Sequence, residues 1–300
     1  MTTLMWIRYA LRKRSGQFAL ILAAGLVLIG AFGSALAPFN PLDITGVPLA
    51  GPSGAHWLGT DNLGRDVLSR ILAGAGVSLL GGVLVSVVAF FVGTLPGILS
   101  VYLGRVFEWS SLRLMDTVIA LPFLIVAVAV TALLGNGLIP ALVVVGVLVS
   151  PIFYRVSRSI ALNTISADYV LAARLFGAST AWVVAKHILP KLIPALAVTF
   201  ANTVAAGLIV ISSLSFLGIG VQPPEPTWGG ILADTLGHIS RQPLGPIFPS
   251  AFIIAAVWAF HALADLLRDA EADSGRLQTV DSPGGLGSAP LTIAGKESND

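Results

Sequence analysis

The strongest constraint on this chain is the length of the stretches between its charged residues. Twenty-eight uncharged residues separate Arg14 from Asp43, 34 separate Arg70 from Arg105, 38 separate Asp116 from Arg155, 33 separate Lys191 from Glu225 and 23 separate Arg241 from Asp265. A helix that crosses about 30 Å of hydrocarbon at about 1.5 Å per residue needs roughly 20 apolar residues. Every stretch is long enough. Only 11% of the 300 residues are charged, against about 25% in soluble domains. An all-α, polytopic membrane protein is therefore the expected fold class. A net charge of +2 is too small to argue for nucleic acid, and with no cysteine there is no disulfide framework and no thiol-based metal or redox site.

The third stretch has room for two crossings and is interrupted at Gly135-Asn136-Gly137, followed by Pro140, which reads as a tight turn. The expectation is six transmembrane helices, at about 17–38, 77–102, 117–134, 138–156, 192–216 and 247–266. Basic residues test the count. With six crossings and both termini inside, fourteen Lys and Arg fall on inside segments and three (Arg65, Arg70 and Arg241) on outside ones. The positive-inside rule favours that split over five crossings, which would export the five cations between Arg155 and Lys191. Residues 1–16 then form a cytoplasmic segment, which either lies along the membrane through Met5, Trp6 and Ile7 or is a plain stub. The first apolar run is longer than a signal peptide's and reads as an uncleaved crossing. Residues 273–300, rich in Ser, Gly, Pro and Thr, read as a disordered cytoplasmic tail.

Ionisable residues are nearly absent from the apolar stretches; His261, Asp265 and Asp116 all sit near a helix end. No proton or ion relay is evident. No phosphate-binding Gly-x-x-x-x-Gly-Lys-Ser/Thr loop occurs either. The chain is expected to bind no cofactor and to be no enzyme, so uphill transport requires a partner's energy.

The outside segment, about 39–76, carries Asp61 and Asp66 around a turn in which Gly59 and Gly64 are free to take positive φ. Asp66 can cap a helix beginning at Val67. A calcium loop or an acid–base pair is disfavoured, since no third carboxylate or histidine completes a site in the sequence. With Arg65, these residues read as loop-structural. In the last outside segment, about 217–246, prolines 223, 224 and 226 argue for a rigid cap rather than a helix, and Trp228 suits the membrane interface.

The inside segment 157–191 is the most informative. Ser166 or Asp168 can cap a short helix over about 169–176, closed by Gly177. Ser179 can cap a second, over about 180–189, stopped by Pro190. On the first, Tyr169, Ala172, Ala173 and Phe176 share one face. That face either docks in a partner's groove or packs back on the bundle. His187 reads as a structural histidine at a helix C-terminus, where the dipole favours a cation.

Residues Asp168–Pro194, DYVLAARLFGASTAWVVAKHILPKLIP, resemble the cytoplasmic EAA loop of bacterial binding-protein-dependent ABC importers, through Ala172, Ala173, Gly177, His187, Leu189 and Pro190. Trp57–Asp66 is similar to the LGTDxxGRD segment of the C-type permeases of dipeptide, oligopeptide and nickel importers. Ser215–Pro224 with Trp228-Gly229, and Leu267-Arg268-Asp269, resemble later segments of the same branch, so the likeness runs through residues 10–272. It implies a type I ABC importer permease: a six-helix domain at 17–272 in the bacterial inner membrane, forming a heterodimer with a second permease. It also implies ATP-binding subunits that hold ATP and Mg, and an extracytoplasmic solute-binding protein. The residues from Asp168 to Gly177, with Leu171 and Arg174 among them, would be the coupling helix that docks on the ATPase. The expected cargo is a di- or oligopeptide, with nickel chelates, glutathione or another small solute as the alternative. A stand-alone channel or secondary transporter is the rival of another class. In one respect the chain departs from the family: Leu171 stands where an acidic residue usually heads the motif, which makes the docking contact more apolar.

Overall fold

The computed structural model describes residues 14–135 and 137–280. Among the described residues there are ten α-helices: α1 Arg14–Leu36, α2 Val67–Leu99, α3 Arg105–Ala120, α4 Phe123–Leu133, α5 Leu138–Ile165, α6 Asp168–Leu175, α7 Thr180–Val183, α8 Leu189–Phe216, α9 Trp228–Gly237 and α10 Ile247–Val280. A π-helical turn, Val184–Ile188, joins α7 to α8 without a break. There is no strand among the described residues. Residues 1–13 and 281–300 lie outside them, so the membrane-surface reading of Met5–Ile7 and most of the tail do too. Of the tail expected to be disordered from 273, residues 273–280 are described and continue α10 to Val280.

Five helical segments are long and apolar enough to cross a membrane: Gly16–Leu36, Val67–Leu99, Leu138–Ile165, Thr180–Phe216 and Ile247–Ala272. The third expected crossing is not the straight helix 117–134. It is the pair α3 and α4, bent by 97° between Ala120 and Phe123. Pro122 supplies the reason. A proline excludes the α conformation from the residue before it, and Leu121 is extended at φ −75°, ψ 140°. Contacts count the bent pair as one crossing. Arg174, after α5, lies over the ring of Tyr102, before α3, so these loops share a side. Gln242, before α10, donates to the carbonyls of Ala50 and Thr60, which places those loops together on the opposite side. Six crossings satisfy both contacts; five do not.

Helix α2 is the hub and packs against α5, α1 and α8. Apolar side chains have no reason to prefer one another over lipid tails, so helices associate in the membrane through close packing of small residues. At Gly93 an added Cβ would run into the backbone oxygen of Ser150, and at Gly97 it would come within 2.7 Å of the Tyr154 oxygen. This close crossing sets the register of α5 on α2. Tyr154 and Phe153, both fully buried, lie beside it. Tyr154 shares a 2.8 Å hydrogen bond with Ser111 of α3. Two ion pairs, Arg155–Asp116 and Arg158–Glu108, tie the rest of α3 to α5.

Candidate functional site

The loop between α5 and α8 presents a short helix on a buried root. Val170 of α6 is fully buried, as are Val183 and Ile188 in the following turn. Leu175 and Phe176, in contrast, are 84% and 93% exposed. Tyr169, Leu171 and Ala172 are exposed as well, Ala173 is half-buried, and Asp168 and Arg174 face solvent. The apolar face therefore includes Leu171 and Leu175 beside Ala172 and Phe176. Leu175 was not among the expected residues, because the i, i+3, i+4, i+7 pattern counted from Tyr169 steps over it.

Local chemistry explains how the helix begins and ends. The residue before its first turn is Ala167, which has no side chain to cap it, so neither Ser166 nor Asp168 fills that position. Asp168 lies inside the first turn, where a carboxylate complements the helix dipole. At the far end Gly177 takes φ +87°, and the Gly177 and Ala178 amides donate to the Arg174 and Ala173 carbonyls. A left-handed residue of this kind turns the chain out of a helix at little cost only when it is glycine. Ser179 then caps α7 through a 3.3 Å bond from the Trp182 amide.

Pro190 does not stop this second helix. It stands just after the π-helical stretch in a helix that runs on through it, and the wider turn there accommodates its missing N–H. The Leu189 amide reaches back to the Val184 carbonyl, a π-type step that carries the chain past the proline. With no helix end there, the dipole reading of His187 is also overturned. The His187 ring sits between two aromatic rings instead, 5.2 Å from Tyr169 and 5.1 Å from Trp182. Its Nε2 is buried without a hydrogen-bond partner. Lys191 completes the clamp with its ammonium 5.0 Å from the centre of the Tyr169 ring. On the other flank, the Arg174 guanidinium lies 5.8 Å from the centre of the Tyr102 ring. Burial pushes the Tyr102 hydroxyl above its ordinary pKa, and Arg174 pulls it part-way back. Trp182 and Tyr102 carry no sequence signal for these roles, since each contact depends on how the loop folds back.

The remaining candidates gather at the other end of the bundle. Asp61 is buried and accepts from the Leu63 and Arg65 amides and from Arg65 Nε at 2.7 Å. Arg70 Nε lies 3.4 Å from the same carboxylate. Asp66 caps α2, accepting from the Ser69 amide and hydroxyl at 2.8 and 2.7 Å. Its second oxygen lies 2.9 Å from Nδ1 of His56, a histidine for which the sequence pattern suggests no role. No group of three metal-ligating side chains occurs among the described residues. Gly59 and Gly64 take φ of +81° and +82°. Trp228 faces neither lipid nor water. It is fully buried and donates from its indole to the Ile71 carbonyl at 3.0 Å and from its amide to Ser78 at 3.1 Å. It opens α9, a helix that the prolines before it had argued against; they end at Pro226, and Thr227 caps the helix.

A family model described as "Binding-protein-dependent transport system inner membrane component" matches residues 89–271, which span the bent crossing, the loop and most of α10. The chain belongs to this family. The glutathione transport system permease protein GsiD of Pectobacterium atrosepticum is 39% identical over 220 residues, 73% of each chain. GsiD of Escherichia coli O1:K1 / APEC is 35% identical over 268 residues, 88% of each. Among solved structures, an inward-facing form of the MetNI methionine ABC transporter superposes with a TM-score of 0.55 at 20% identity, covering 67% of this chain and 96% of that one. That likeness is one of fold. The protein is thus an inner-membrane, multi-pass permease of an ABC importer, of the dipeptide/oligopeptide/nickel type.

Proposed function

We propose that α6 is the coupling helix of this permease and that its exposed apolar face, Leu171, Ala172, Leu175 and Phe176, docks in a groove of an ATP-binding subunit. One observation carries the reading. An eight-residue helix and the residue that ends it hold two large apolar side chains almost wholly in water while the helix root is fully buried. Such a patch is costly unless a partner covers it, and an amphipathic helix in a groove is a recurrent docking mode. The aromatic clamp at His187 and the bridge from Arg174 to Tyr102 make the helix a lever. Motion of an ATPase at α6 is transmitted into α8 through the clamp and into the α2–α3 turn through Tyr102. With Leu171 in place of an acid, this contact is apolar. The chain itself performs no catalysis; ATP and Mg belong to the docked subunits.

In this reading the loop side is cytoplasmic, both termini lie on that side, and a second permease completes the pathway. A solute-binding protein delivers cargo to the opposite side. The cargo is a short peptide, glutathione among the candidates, in line with the names of the relatives. The test is reconstitution of the purified complex in proteoliposomes, with Leu175→Asp and Phe176→Asp in this chain. Neither residue packs within the chain, so membrane insertion and the thermal unfolding midpoint stay unchanged. ATP-driven uptake of glutathione or trialanine is expected to fall to background, with the ATPase no longer co-purifying. Normal uptake by both variants would overturn the docking assignment.

A further inference from the structure

The end of the bundle remote from the coupling helix holds a cavity of about 430 Å³. It lies between the Asn62–Arg65 turn, Arg70 of α2, the Val221–Glu225 segment and Asp234 of α9. Because α8 joins the two regions over 28 residues, the cavity is roughly 42 Å along the helix from the coupling loop at about 1.5 Å per residue. Its volume is within the range, about 300–1,000 Å³, of small-molecule sites.

Two residues on its wall each carry a buried polar atom without a partner. Arg70 is 4% exposed, and its Nη1 is buried with no hydrogen bond. The neighbouring carboxylates do not serve it. Asp61 is already taken up by Arg65, two amides and Arg70 Nε. Asp234 stands 4.0 Å from the other terminal nitrogen, Nη2, beyond hydrogen-bond range. Asn62 Oδ1 is likewise buried and unbonded. A buried guanidinium N–H without an acceptor is costly, and a carboxylate is the acceptor whose geometry and charge match it best. Acidic groups of the same cavity, Asp234 and Glu225, remain at least partly open to solvent. The wall therefore has an unpaired guanidinium N–H just beneath it at one point and negative charge at another.

We propose that this cavity is a subsite for a small zwitterionic solute, with Arg70 taking its carboxylate and Asp234 and Glu225 facing its ammonium. This inference rests on the peptide reading above and gives that cargo a place on the permease itself. The binding partner is the free solute. A side chain of the docked binding protein would offer the same carboxylate, and the test separates the two.

The detergent-purified permease–ATPase complex, without binding protein, is titrated with radiolabelled trialanine and glutathione by equilibrium dialysis. Saturable binding is expected, weakened about tenfold or more when the C-terminal carboxylate of trialanine is replaced by an amide. Arg70→Gln removes the preference for the free acid. Asp234→Asn, at a half-exposed position that leaves the fold intact, weakens trialanine binding severalfold but leaves N-acetyl-trialanine unaffected. Wild-type complex that takes up trialanine or glutathione with ATP and binding protein, yet binds neither on its own, overturns the subsite. So does an Arg70→Gln loss confined to association with the binding protein, since the carboxylate then comes from that protein. Absence of ATP-driven uptake of either solute would instead sink the peptide reading on which the subsite rests.

Discussion

At one end of α8, two buried arginines share the buried carboxylate of Asp61, and Asp66 holds His56 and the start of α2. At the other end, α6 hangs from Val170 and a stack of rings, with Leu175 and Phe176 in water. The first region ties its buried carboxylates into the chain while leaving Arg70 Nη1 and Asn62 Oδ1 unbonded, and the second leaves its apolar groups for another chain. Buried charges with interlocking hydrogen bonds resist displacement, because removing one partner strands the other in a medium of low polarity. Ring contacts and a left-handed glycine hold a helix in orientation at much smaller energies. The difference teaches that rigidity was built where the chain re-enters the bundle, and adaptability where an ATPase is proposed to push.

The largest effect is expected from Asp61→Ala. It strands Arg65 and Arg70 together and should cost about 3–5 kcal/mol, read as a collapse of the unfolding midpoint in detergent. A midpoint close to wild type would break the comparison at its first half. Phe176→Ala comes next. It should weaken ATPase association by about thirtyfold, equivalent to about 2 kcal/mol at an interface hot spot, with no change in midpoint. A shifted midpoint would mean that Phe176 packs within the chain after all. His187→Ala removes the centre of the clamp and should cost about 1 kcal/mol, visible as faster proteolysis within residues 166–180 and partial uncoupling of ATP hydrolysis from uptake. Unchanged proteolysis would show that the clamp does not position α6.

The smallest effect concerns pH. Burial raises the Asp234 carboxyl above its ordinary value, while Arg70 and Arg65 pull it part-way back. The folded state thus favours the neutral acid. As pH rises, the unfolded chain releases this proton first, so the stabilisation is present below the unfolded value and is lost on passing through the raised one. Asp234→Asn should therefore be slightly more stable than wild type at pH 7, with the gain vanishing as the pH is lowered into the acidic range. A lower midpoint at pH 7 would show that attraction to Arg70 outweighs burial.

Much of this was legible in the residues themselves. Charge-free stretches announce crossings because no charge lies comfortably in hydrocarbon, and the asymmetry of the cations made the crossings six. The cap at Asp66, the turns at Gly59 and Gly64, and the exit at Gly177 depend on neighbours a few residues away, so their chemistry is written locally. The bend at Pro122 was local too, yet an unbroken apolar run hid it. What only the tertiary structure decided is which distant groups meet: Trp228 with Ile71 and Ser78, Arg70 with Asp234, His187 with Tyr169, Arg174 with Tyr102. Those meetings follow from the register of helices in close contact, as where Gly93 and Gly97 admit the backbone of α5. Hydrophobicity places a helix in the bilayer but leaves its rotation and depth open. Only small-residue packing, summed over several helices, sets them.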